Sequence, residues 1–222
     1  MSIRKINFVE GEYYHIYNRG NSKQKIFHDK KDYTHFLDLL YLLNNKNNMC
    51  VSDLKKYKTF DFIRIDQEDM LVSIGAYCLM PNHFHILITD KTEGGISKFM
   101  QKLSTAYVMY YNKKYKRTGS LFEGKFKSEH ANNDKYLKYL FSYIHLNPVK
   151  LIQKDWKEKG IKNKNQAINY LKKYYYSSFN DFLNSNRKEE RILSTKDFPT
   201  YFRNKEDFIK EIFEWLKYNK PL

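Results

Sequence analysis

The chain has 222 residues, of which 41% are hydrophobic and 17% aromatic, enough to bury the core of one sizeable domain with or without an appendage. Only 8 glycines and 4 prolines are present, which excludes collagen-like and low-complexity chains. Lys and Arg number 40 against 25 Asp and Glu, a formal net charge of +15, so a polyanion such as nucleic acid is the first partner to consider.

Other features of the sequence bear on its surroundings. It contains no run of about 18 apolar residues, so we expect no membrane span. The first residues lack an apolar stretch and a cleavage site, so no signal peptide is expected. Cys50 and Cys78 form no CxxC pair, which predicts free thiols in a reducing cytosol. A lysine-rich surface that only solubilises the chain is the alternative explanation of its charge.

The first predicted elements are a strand and a helix. Residues 11–18 have the composition of a strand, and a turn at 18–21 ends it. Asp29 is a candidate N-cap for a helix that runs to about Asn47, since apolar residues recur there at helical spacing. The polar residues 44–58 predict a loop.

Two strands follow near the middle of the chain. Residues 70–80 and 83–89 are strongly apolar, and the break at Pro81 and Asn82 between them predicts a central hairpin. Residues 60–65 alternate and predict a strand extension before it.

The next segments complete a known pattern. We predict a helix over 97–115, a strand over 121–129, and a helix from Asn132 or Asn133 to about Asn147, where Pro148 stops it. The order βαββαβ followed by a helix predicts an α+β, ferredoxin-like sandwich with an antiparallel central sheet.

The composition shifts after about residue 155. Residues 151–173 are rich in lysine, an aromatic cluster follows, and 205–218 has a helical pattern. We therefore divide the chain into a first domain, 1–152, and a basic, aromatic, C-terminal helical extension, 153–222.

His83 and His85 are the first candidate site residues. Side chains on a strand alternate between faces, so both imidazoles point the same way while Phe84 points to the opposite layer. Two imidazoles on one face can chelate a divalent cation, although an isolated His-x-His motif more often reflects chance.

A tyrosine-rich helix supplies the second group of candidates. Tyr136, Tyr139, Tyr143 and Asn147 follow one helical stripe, and the first two are more simply explained as core residues. A phenol has a pKa of about 10 and is a poor nucleophile unless a metal polarises the phosphate that it attacks. Two histidines and an asparagine form a neutral ligand set, which suits Mg²⁺ or Mn²⁺.

Several motifs together resemble one family. CLMPNHFHILI at 78–88 resembles the His-hydrophobic-His (HUH) motif of IS200-like single-tyrosine transposases, and the nearest likeness is to the REP-associated tyrosine transposases. YHIYNRGN at 14–21, RTGSLFEGKFKS at 117–128 and YIHLNPVK at 143–150 add to it. The resemblance covers residues 11–152, with a weaker echo at 174–183.

The resemblance implies a metal-dependent endonuclease that cuts and rejoins single-stranded DNA through a 5′-phosphotyrosine. It makes His83 and His85 metal ligands, Tyr143 the nucleophile and Asn147 the third ligand, where the IS200 branch typically has glutamine. Tyr136 is the rival nucleophile. The implied partner is single-stranded or hairpin DNA, handled by a monomer or a homodimer in the cytoplasm, in association with the nucleoid.

Basic residues near turns and strands are the candidate DNA contacts. Lys125 and Lys127 are expected to share one strand face, and the basic stretch 154–173 is a candidate grip for a hairpin stem. The candidates are Arg19, Lys113, Lys114, Arg117, Lys125 and Lys127.

Two other functions remain open from the sequence. A non-catalytic DNA-binding protein on the same fold would bind hairpins without cutting them. An RNA-binding domain can share the βαββαβ order, but it would show an aromatic RNP pattern that is absent here.

Overall fold

A computed structural model describes residues 7–47, 66–183 and 186–214 of the chain. Within these ranges, four strands form one sheet in the order β2-β3-β1-β4, and every neighbouring pair is antiparallel. The strands are β1 (Tyr13–Arg19), β2 (Val72–Met80), β3 (His83–Asp90) and β4 (Lys127–His130). The predicted α+β, ferredoxin-like arrangement is confirmed.

Helices separate the strands in the predicted order. Helix α1 spans Lys30–Leu42, α2 spans Gly95–Lys114 and α3 spans Asp134–Leu146. The C-terminal extension adds α4 (Trp156–Lys159), α5 (Lys164–Lys173) and α6 (Lys205–Glu214). The strand predicted at 60–65 and the end of the helix predicted at 205–218 lie outside the described residues. Within the described ranges, no helix has the length and apolar character that a membrane span requires.

The sheet has a different layer on each face. Alternate residues of β3, such as Phe84 and Ile86, are buried with α1 and α2 in the largest apolar cluster. Leu87, on the opposite face of β3, packs with α3 residues such as Leu140 and Ile144. The period-2 alternation of β3 therefore directs His83 and His85 to the α3 side.

The C-terminal extension covers the edge strand β2. The Leu79 amide donates to the Tyr176 carbonyl at 2.9 Å, and the Tyr174 hydroxyl donates to the Leu79 carbonyl at 2.6 Å. Phe198 lies against Gly75, where a Cβ atom would come within 2.8 Å of its ring. These contacts satisfy an edge that would otherwise expose polar backbone groups. Cys78 is a buried free thiol on β2, and Cys50 lies outside the described residues.

Several predicted boundaries differ from the structure. Helix α1 ends at Leu42 instead of Asn47, because the Asn44 side chain bonds the backbone of Leu71 and Val72. The strand predicted at 121–129 is regular only over Lys127–His130. Helix α2 begins at Gly95 instead of residue 97, and the Asp90 carboxylate accepts the Ile96 amide there at 2.5 Å.

Candidate active site

Two histidines lie side by side at the start of β3. The ring centroids of His83 and His85 are 4.9 Å apart. Strand β1 places Arg19 opposite His83 and Tyr17 opposite His85. Directly paired residues of antiparallel strands share a face, so these four side chains border one region above the sheet.

Helix α3 brings Tyr143 to this region. Asn133 caps the helix by accepting the Tyr136 amide at 2.8 Å, which fixes where α3 begins. Leu140 and Ile144 pack on the sheet, and Tyr143 lies beside them against the histidines. Its ring centroid is 5.4 Å from that of His85, with the rings nearly perpendicular.

Asn147 links the histidine pair with Tyr143. It follows the last residue of α3, at the start of a 3₁₀ helix that Pro148 continues, and it is buried. Its carboxamide is close enough to the two sides to raise the pKa of His83 and to lower the pKa of Tyr143, each against the larger effect of burial. The structure thus brings together all four residues that the sequence assigned to the metal and the nucleophile.

Burial sets the protonation of these groups. It lowers the pKa of His83 to about 4, and the charges of Lys150 and Arg19 act in the same direction. Burial also lowers the pKa of His85 well below its usual range. Both imidazoles are therefore neutral near pH 7, with a lone pair available for a cation. Burial raises the pKa of the Tyr143 phenol, against a smaller opposing effect of its hydrogen bond with Asn147.

The donor atoms fit a divalent cation. His85 Nε2 is buried and has no hydrogen-bond partner in the described part of the chain, as expected of an atom reserved for a ligand. Within the same ranges, no cluster of three or more His, Cys, Asp or Glu residues can hold a metal. Asn147 adds a neutral amide oxygen beside the two imidazoles, a donor type that Mg²⁺ and Mn²⁺ accept.

A basic cavity of about 780 Å³ surrounds the pair. His83, His85 and Tyr143 all line it, and Arg19 on its wall pairs with Glu123 at 3.0 Å. The lysines that line the cavity are Lys23, Lys25, Lys127, Lys150 and Lys154. Such a concentration of positive charge attracts a polyanion to the histidines.

Tyr136, the rival nucleophile, has a different environment. Its hydroxyl donates to Glu129 at 2.7 Å, and the same carboxylate accepts from Tyr17 at 3.1 Å. Burial and this carboxylate raise the pKa of Tyr136. It does not line the cavity.

Four predicted DNA contacts lie outside the histidine cavity: Lys113, Lys114, Arg117 and Lys125. Lys114 pairs with Asp29 and Asp32, at 2.9 and 2.6 Å, and holds the start of α1. Arg117 lies over the Tyr111 ring at 5.5 Å, and Lys113 is exposed near the end of α2.

Lys125 requires a correction. It does not share a strand face with Lys127, because β4 begins only at Lys127. Lys125 instead lines a separate cavity beside α2, whereas Lys127 lines the histidine cavity.

Sequence reasoning missed several residues of the site. His15 Nε2 lies 2.8 Å from His85 Nδ1, and strand alternation with Tyr17 and Arg19 was the signal for it. Lys157 Nζ lies 4.8 Å from the Tyr143 ring centroid, and Trp156 stacks beside the same ring at 6.4 Å. Both belong to the C-terminal extension, and no local pattern links them to α3.

Comparison with known proteins identifies the family. The family described as "Transposase IS200 like" matches residues 8–147, more than half of the chain. The chain therefore belongs to the IS200-like transposase family, and this membership supports a transposase function. No curated protein matches the chain. A solved REP-associated tyrosine transposase bound to a REP hairpin is similar at 13% identity, with a TM-score of 0.47 over 83% of this chain and 86% of that one.

Proposed function

We propose that the chain is a metal-dependent endonuclease and strand transferase for single-stranded DNA, with Tyr143 as its nucleophile. The observation that carries this proposal is the contact of the Tyr143 ring with His85, in a cavity that both line together with His83. A phenol, two neutral imidazoles and an amide at one point of a basic cavity suit phosphoryl transfer.

The three proposed ligands are His83, His85 and Asn147, and the cation is Mg²⁺ or Mn²⁺. When bound, the cation withdraws charge from the scissile phosphate, which makes its phosphorus susceptible to a weak nucleophile. Because all three protein ligands are neutral, they leave the charge of the cation available for that phosphate.

Tyr143 carries out the transfer. Its oxygen forms a bond to phosphorus while the bond from phosphorus to the 3′ oxygen breaks, and one net proton passes from the phenol to that oxygen. The products are a 5′-phosphotyrosine and a free 3′-hydroxyl. Attack by a 3′-hydroxyl reverses the step and rejoins a strand, so no external energy source is needed.

The cavity walls would hold the DNA. Arg19 and the five lysines line the cavity, and in this proposal they contact phosphates on either side of the cleaved bond. Lys172 and Lys173, at the exposed end of α5, belong to the stretch proposed to grip a hairpin stem. We further propose that residues 1–152 act as the catalytic unit and 153–222 as the recognition extension, in a cytoplasmic, nucleoid-associated monomer or homodimer.

A cleavage assay tests this function. The full chain is incubated with labelled hairpin single strands and Mn²⁺, and covalent adducts are separated on a denaturing gel. Wild type and Tyr136→Phe should form the adduct, whereas Tyr143→Phe and His83→Ala should not. Hairpin binding without any adduct in Mn²⁺ would instead indicate a non-catalytic DNA-binding protein.

A further inference from the structure

Each histidine of the pair has a partner on its Nδ1 side. His83 Nδ1 lies 2.6 Å from Asn82 Oδ1, and His85 Nδ1 lies 2.8 Å from His15 Nε2. His15 is 4% exposed, and its ring stacks on that of His85 with centroids 5.0 Å apart. Two neighbouring imidazoles are thus held in the same way by unrelated side chains.

The contacts of Asn82 fix the hydrogen on His83. The Asn82 amide nitrogen donates to the Lys23 carbonyl at 3.2 Å, which leaves its oxygen as the acceptor that faces His83. Nδ1 of His83 therefore carries the hydrogen. A neutral imidazole has one donor and one acceptor nitrogen, so Nε2 of His83 has the lone pair.

The contact between His85 and His15 allows the same arrangement. Nε2 of His85 and Nδ1 of His15 are both buried with no hydrogen-bond partner among the described residues, so whichever ring donates leaves one of these two atoms with an unaccepted hydrogen. When Nδ1 of His85 donates to His15 Nε2, the lone pair on Nε2 of His85 is the one that a cation can use, so a cation there selects this arrangement.

We propose that His15 and Asn82 are positioning residues, which accept the Nδ1 hydrogens of His85 and His83 and so hold both Nε2 lone pairs ready for one divalent cation. This inference rests on the proposed function, because it assumes that the pair binds metal. Partners of this kind orient metal-bound histidines and raise their basicity. A purely structural role of His15 would fill space between β1 and α3 without affecting the affinity for metal.

Titration of the DNA-free full chain with Mn²⁺ by calorimetry separates these roles. His15→Phe keeps a ring of similar size but removes the acceptor, and should weaken Mn²⁺ binding about 10- to 100-fold. His15→Gln supplies an acceptor again and should bind within a few-fold of wild type. His130→Phe is the matched control and should bind like wild type, because His130 pairs with Glu12 away from the cavity.

The outcomes are distinguishable. If His83→Ala loses Mn²⁺ but His15→Phe binds as tightly as wild type, the positioning role is wrong and the proposed function stands. If wild type and His83→Ala bind Mn²⁺ equally, the metal site of the proposed function is wrong, and this inference with it.

A measurement on the unmodified chain covers the case in which His15→Phe does not fold. Long-range ¹⁵N NMR reports which ring nitrogen carries the hydrogen. The proposal expects it on Nδ1 of both His83 and His85 in the metal-free protein at neutral pH. A hydrogen on Nε2 of His85 would overturn it.

Discussion

The lysines of the cavity predict how DNA binding depends on salt. The charge of Arg19 is already balanced by Glu123, so we count only the five lysines of the cavity as net charges that phosphates would neutralise. Each phosphate contact on a single strand contributes about 0.7 to the slope of log K against log salt, which gives a slope of about −3.5 for five. Affinity should then fall about 100-fold between about 50 and about 200 mM salt.

Two matched variants make this prediction specific. Lys150→Gln removes a lysine that the structure places in the cavity, and should reduce the slope by about 0.7. Lys113→Gln removes an exposed lysine outside the cavity, and should leave the slope unchanged. Fluorescence anisotropy of a labelled hairpin strand measures both in a Tyr143→Phe background, which prevents cleavage. Equal effects of the two variants, or a wild-type slope near −1, would refute the reasoning.

Two predictions concern the stability of the fold. Arg187 pairs with Asp181, whose side chain is buried, so Arg187→Met should lower the free energy of unfolding by about 3–5 kcal/mol in urea melts. Lys188→Met, which breaks a half-exposed pair with Asp38, should lower it by under about 1 kcal/mol. Equal losses in these two variants would contradict this. Burial opposes ionisation of Asp32, but hydrogen bonds led by the one from Lys114 lower its pKa in the folded state below 3.8. Ionised Asp32 therefore stabilises the fold fully above the pKa of the unfolded state, and this contribution is lost as the pH falls through the pKa of the folded state. Urea melts between about pH 5 and about pH 2 should show this fall in wild type and a weaker one in Lys114→Met; parallel curves would be inconsistent with it.

Local pattern was sufficient for most of the fold. Alternation in β3 and helical spacing in α3 predicted both elements and the shared face of His83 and His85. The errors arose where distant residues decide. Asn44 ends α1 through bonds to residues about 27 positions later, and the irregular chain before Lys127 has no local signal.

The centre of the site was more predictable than its walls. His83 and His85 are two residues apart, and Tyr143 and Asn147 are one helical turn apart, so each pair follows from local geometry. The walls combine β1, β3 and the chain after α3, so Lys150 and Lys157 reach the site only through tertiary packing. Charge alone does not distinguish these two lysines from Lys114, which forms a structural ion pair with Asp32.

The most direct test of the account locates the DNA on the protein. After cleavage in Mn²⁺ and nuclease trimming, tryptic peptides are sequenced by mass spectrometry, and trypsin separates Tyr136 from the peptide 139–150 that contains Tyr143. The account predicts a nucleotide 5′-phosphate on Tyr143 that is absent when EDTA replaces Mn²⁺. A nucleotide on Tyr136, or on any residue outside the cavity, would contradict it.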